Sequence, residues 1–114
     1  MAFIIKQVPD ITVPVDIQVP GEAETCRIEA RWKLHGFDAA RARIEAIQAG
    51  KVTDEQLVAE DLLSAGPFRQ ADGTEIPFSA ELAQSLLQMT YVRMPLVQSW
   101  FAAQNCRQEA SAKN

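Results

Sequence analysis

The chain predicts an α+β fold in which an N-terminal antiparallel β-hairpin packs on a small bundle of about four α-helices. Three observations lead there. Apolar residues alternate with period two from Ile11 to Val19 and again from Cys26 to Leu34. Beyond Gly36 the apolar spacing becomes that of a helix, and helix start and stop residues recur from there on. With 114 residues, 47% of them apolar and 23% charged, the chain is long enough to bury a core and unlike the composition of disordered proteins. The expected organisation is a single domain over 1–106, with the hairpin at 11–34 and the helical part at 37–106. A flexible polar tail over 107–114 follows.

Residues 1–9 carry Phe3, Ile4 and Ile5 ahead of Pro9, which suits either an edge segment or a mobile one. In the first strand Ile11, Val13, Val15, Ile17 and Val19 point one way, and Pro14, which cannot donate to a ladder, places the strand at a sheet edge. Pro20 and Gly21 close it. Cys26, Ile28, Ala30, Trp32 and Leu34 form the inner face of the second strand, and the short link makes the pair a hairpin. Its outer face collects Asp16, Gln18, Arg27, Glu29, Arg31 and Lys33. That face is read as solvated and laced with cross-strand ion pairs, the alternative being an edge that pairs with a neighbouring subunit, since two strands alone leave unpaired backbone on both sides.

Phe37, Ala40, Ile44 and Ile47 recur at helical spacing, with Asp38 near the amino end and Gly50 as a carboxyl cap. Thr53 to Gln56 is a capping-box sequence that opens a second helix, with Leu57, Val58, Leu62 and Leu63 as its buried stripe and Gly66–Pro67 as its stop. Asp72-Gly73 is a tight turn, in a loop or a minimal hairpin. Ser79 caps a third helix expected to run to about Met89. Thr90 is the expected cap of a last helix whose stripe is Leu96, Val97, Trp100, Phe101 and Ala103. Pro95 leaves two geometries open: a straight helix beginning near it, or a kinked one with the proline inside.

The sequence advertises no chemistry. The 11 basic residues, against 15 acidic ones, are scattered, which argues against a nucleic-acid partner. There is no apolar run long enough for a membrane span and no phosphate loop, metal-ligand spacing or nucleophile motif, so no catalytic residue, cofactor or metal is expected. Cys26 and Cys106 are read as two buried thiols. His35, the sole histidine, is read as a turn or edge residue. Glu60 and Asp61, adjacent on a helix, point apart and are expected to solvate it. Tyr91 and Trp100 are expected to pack in the core with their polar atoms reaching an edge, with a protein interface as the alternative.

The segments VPVDIQVPG (13–21) and IEARWKL (28–34) are followed by Asp72, Gly73, Ile76, Pro77, Phe78, Ser79, Leu82, Leu86, Leu87, Tyr91, Val92 and Arg93. In this order, over most of the chain, they resemble the phage tail assembly chaperones of long, non-contractile tails. The resemblance implies a non-enzymatic protein of the host bacterial cytoplasm. It would bind the hydrophobic tape measure protein, keep it soluble, help tail tube protein polymerise around it and leave before the virion is complete. The family also implies a longer product made by programmed frameshifting. Ala112-Lys113-Asn114 can be encoded GCA AAA AAC, which contains a slippery heptamer. The alternative is a tail-completion or neck adaptor subunit retained in the virion. On the chaperone reading the expected client site lies between the last two helices, at Met89, Tyr91, Arg93, Met94, Val97 and Phe101, with self-association supplying repetition along the client.

Overall fold

A computed structural model describes residues 1–106; the tail expected over 107–114 lies outside them. The α+β expectation holds. Strands β1 (Asp10–Gln18) and β2 (Thr25–Lys33) form the antiparallel hairpin, in a register that sets Ile11 opposite Trp32, Val13 opposite Ala30 and Val15 opposite Ile28. Alternation sends Val13, Val15, Ile17, Ile28, Ala30 and Trp32 to one face, where all are buried.

The other face is polar and paired. Asp16, directly opposite Arg27, takes two hydrogen bonds from its guanidinium at 2.7 and 3.1 Å, and Asp10 takes two from Arg31 at 3.0 and 2.9 Å. These are the cross-strand ion pairs that the alternation implies.

After the hairpin come α1 (Phe37–Gln48) and α2 (Asp54–Asp61). The end of α1 follows the glycine prediction: Gly50 adopts φ 77°, its N–H reaches the Ile47 carbonyl at 3.1 Å, and the Lys51 N–H reaches Ala46 at 2.8 Å. The capping box of α2 is complete, with the Gln56 N–H on Thr53 Oγ1 at 3.2 Å and the Thr53 N–H on Gln56 Oε1 at 2.9 Å.

The second helix stops earlier than its apolar stripe suggests. Leu62 and Leu63 continue the spacing of Leu57 and Val58, yet the chain straightens into β3 (Leu62–Gly66), which pairs antiparallel with β2 and completes a sheet of order β1-β2-β3. The free backbone edge of β2 decides the outcome: pairing with it satisfies donors and acceptors that a longer α2 would leave open. Two strands therefore do not stand alone. Among the described residues only one edge of the hairpin, that of β1, remains, and Pro14 offers no amide hydrogen in its middle.

The Asp72-Gly73 turn closes a minimal hairpin, β4 (Phe68–Arg69) with β5 (Glu75–Ile76). Gly73 takes φ 91°, and Asp72 Oδ1 accepts from the Thr74 N–H at 2.9 Å. Ser79 caps α3 (Ala80–Leu86) through the Leu82 N–H at 3.0 Å. Helix α3 ends before Met89, because residues 87–89 bond back three positions in a tighter turn. Met89, and not Thr90, occupies the N-cap of α4 (Thr90–Gln104), and Thr90 is its first helical residue.

Helix α4 lays Val92, Leu96, Trp100 and Ala103 on the inner face of the sheet, while Leu57, Val58, Leu62, Ala83, Leu86 and Leu87 close the same core from the other elements. Pro95 lies inside α4, five residues beyond Thr90, so the helix does not begin at the proline, and the Tyr91 carbonyl has no amide at the fourth position.

Two outcomes follow. Pro95→Ala restores that amide and raises unfolding free energy by about 1 kcal/mol, less than the full helix-interior penalty because the proline also restricts the unfolded chain; urea denaturation measures it. The carboxyls of Asp10 and Asp16 sit below their ordinary pKa because of the hydrogen bonds from Arg31 and Arg27, and that of Asp72 because of the Thr74 N–H. Depressed folded values stabilise above the unfolded carboxyl pKa of about 4 and lose that contribution as pH falls through them. The urea midpoint therefore drops on acidification below about pH 4, and Asp16→Asn makes the drop smaller.

Candidate functional site

Two regions of the molecule hold the residues that sequence reasoning singled out: a polar cluster where α1, α2 and α4 meet, and the outward face of α4.

At the first, Asp61 is only 2% exposed, although adjacency to Glu60 on a helix suggested a solvating role. As the last residue of α2, it turns inward where the chain leaves for β3. Its Oδ2 accepts from Trp100 Nε1 at 2.8 Å, His35 Nε2 at 2.9 Å and Arg43 Nε at 3.1 Å. A buried carboxylate costs several kcal/mol of lost hydration, and these donors, two of them charge-capable, offset that cost.

Arg43 also donates to Glu60, which stays at the surface. Burial opposes the charge on Arg43, but the hydrogen bond to Glu60 and the charges of Asp61 and Glu60 outweigh it and hold the guanidinium above its ordinary pKa. Beside this cluster Trp32 Nε1 donates to Ser99 Oγ at 2.7 Å, and Ser99 in turn donates to the Leu96 carbonyl at 2.5 Å.

His35 is thus more than an edge residue. Its ring donates from Nε2 whichever charge the imidazole carries, and its backbone N–H reaches Gln104 Oε1 at 3.0 Å, while Gln104 Nε2 donates to the Lys33 carbonyl at 2.9 Å. The hydrogen bonds to Asp61 each join another part of the chain to the end of α2, so their chemical effect is to orient. Among the described residues no group of three or more His, Cys, Asp or Glu is placed to hold a metal ion. Both thiols are exposed rather than buried: Cys26 sits beside the turn of the hairpin, opposite Ile17, and Cys106 follows α4 in a left-handed conformation with φ 61°.

On α4 the six expected client-binding residues separate into three kinds. Arg93 is committed internally: it donates to Asp54 at 2.6 Å, to Glu55 at 2.5 Å and to the Leu87 carbonyl at 2.8 Å, tying the start of α2 to the link before α4. That hydrogen bond holds the Glu55 carboxyl below its usual pKa. Met89, Val97 and Phe101 are half-buried against the core, with Phe101 edge-on to Trp100 at 4.9 Å. Tyr91 and Met94 face solvent, at 36% and 55% exposure.

The aromatic expectation divides accordingly. Trp100 is fully buried with its N–H on Asp61, whereas Tyr91 is exposed and its hydroxyl donates to Met89 Sδ at 3.3 Å. Met94, Val97 and Phe101, spaced i, i+3 and i+7, form one stripe along the helix. With α3 limited to seven residues, the stripe runs along α4 well beyond the length that α3 could flank.

No family model, curated protein or solved structure matches this chain. No helix among the described residues is long and apolar enough to cross a membrane.

Removing the Asp61 carboxylate leaves the buried Trp100 indole N–H without its acceptor and Arg43 with Glu60 alone. Asp61→Ala should cost about 3–5 kcal/mol in denaturant titrations, and Ser99→Ala, which orphans only the Trp32 N–H, about 1–3 kcal/mol.

Proposed function

We propose that this chain is a non-enzymatic tail assembly chaperone of a long, non-contractile tailed phage or prophage. It binds the tape measure protein in the host cytoplasm and assists polymerisation of the tail tube protein around it. The observation that carries this reading is the apolar stripe of α4, where Tyr91 and Met94 stand in solvent in line with half-buried Val97 and Phe101. Such a stripe suits an amphipathic client helix, and methionine adapts to clients of varied sequence.

Arg93 contributes by holding the start of α4 against α2, which fixes the angle at which the stripe is presented. The order of strand, turn and helix segments from Val13 to Gln104, which resembles the tail assembly chaperones, is the second support. A longer frameshifted product would extend the chain beyond Asn114.

Co-expression tests the reading. A tape measure fragment produced with this protein should gain several-fold in soluble yield, and Tyr91→Asp with Met94→Asp should abolish the gain while leaving the exposed positions free to fold. An unchanged yield with the unmodified protein overturns the proposal, and recovery of the polypeptide in purified virions identifies a retained adaptor subunit in its place.

A further inference from the structure

We propose that two copies of this chain associate by exchanging their N-terminal arms, each arm inserting Phe3, Ile4 and Ile5 into an apolar groove of the other copy. The inference stands on the arm and the groove and is independent of the client reading.

Residues 1–9 form no helix or strand, and Phe3, Ile4 and Ile5 are 88%, 75% and 89% exposed, with Val8 half-exposed behind them. Leaving these side chains in water forfeits about 1.5–3 kcal/mol for each one that could be buried. The arm is anchored where β2 leaves the sheet, since the Pro9 carbonyl accepts from the Leu34 N–H at 2.9 Å. Its root, Lys6 to Pro9, runs along Leu34, His35 and Gly36, while its apolar tip stands in solvent.

On the far side of Leu34 and His35 a groove of about 290 Å³ opens between α1 and the end of α4, walled by Leu34, Phe37, Ala40 and Ile44. Phe37, at the first position of α1, stands at its lip and is 76% exposed. Arm and groove are therefore matched in character and adjacent at one corner of the molecule. An arm that leaves past the groove, with its tip in solvent, is placed to reach the groove of a copy related by a two-fold axis near that corner.

Area supports exchange over the remaining route. The four arm side chains present roughly 500 Å², and two reciprocal exchanges with the walls they cover remove on the order of 1,500 Å² from water, within the range of stable interfaces. Edge pairing through β1 offers less, because Pro14 interrupts its row of donors.

Sedimentation equilibrium of the full chain over a wide concentration range tests the exchange. The unmodified protein should be a dimer. Phe3→Asp combined with Ile5→Asp, and separately Phe37→Asp, should each give folded monomers by circular dichroism. A mixture of the two variants should regain dimers, weaker than those of the unmodified protein, because one of the two exchanges is restored: the intact arm of the groove variant meets the intact groove of the arm variant. A monomeric unmodified chain, an arm variant that still dimerises, or variants that stay monomeric when mixed would each overturn the proposal. The first of these outcomes also covers an arm that closes on its own groove.

Discussion

A single carboxylate oxygen sets how the elements of this fold are oriented on one another. Asp61 Oδ2 receives the indole of α4, the guanidinium of α1 and the imidazole of the segment between β2 and α1, so three stretches distant in sequence share one acceptor. Apolar packing alone would permit α4 to slide or rotate on the sheet, because Val, Leu and Ala contacts are non-directional. The hydrogen bonds from Trp100 to Asp61 and from Trp32 to Ser99 fix both the rotation and the height of the helix. At its two ends, Arg93 and Gln104 complete the fastening. The surface that α4 shows to solvent is thereby set from inside.

Much of this architecture is legible in the residue order, wherever the signal is local. The period-two runs place both long strands to within a residue at each end, and the capping residues Thr53 and Ser79 and the glycine at 50 act where they stand. What escapes is decided by partners far away in the chain. Leu62 and Leu63 fit a helical stripe, and only the vacant edge of β2 draws them into a strand. Asp61 reads as a surface acid because nothing near it in sequence indicates that Trp100, 39 positions on, will turn its N–H toward it.

His35 escapes for the same reason, being recognised only through Asp61. The cysteines fail differently: the alternation that buries Ile28, Ala30 and Trp32 does not reach Cys26 beside the turn, and Cys106 lies beyond the end of α4. Of the expected surface on α4, Tyr91 and Met94 are where amphipathic spacing puts them, while Arg93, enriched as its residue type is at interfaces, serves an internal ion-pair network that spacing cannot reveal.

Helix α1 has a different relation to the body of the protein. It fully buries only Ala40 and is otherwise attached through half-buried Ile44 and Ile47 and through Arg43. The sheet and α4 cohere through apolar area, which salting-out anions reinforce, whereas the Arg43–Glu60 part of the α1 tether is open to screening by the same ions. The ionic environment thus acts with opposite sign on the apolar core and on the exposed ion pair that helps to hold α1, so the balance between the two attachments is set by the surrounding solution as well as by the chain.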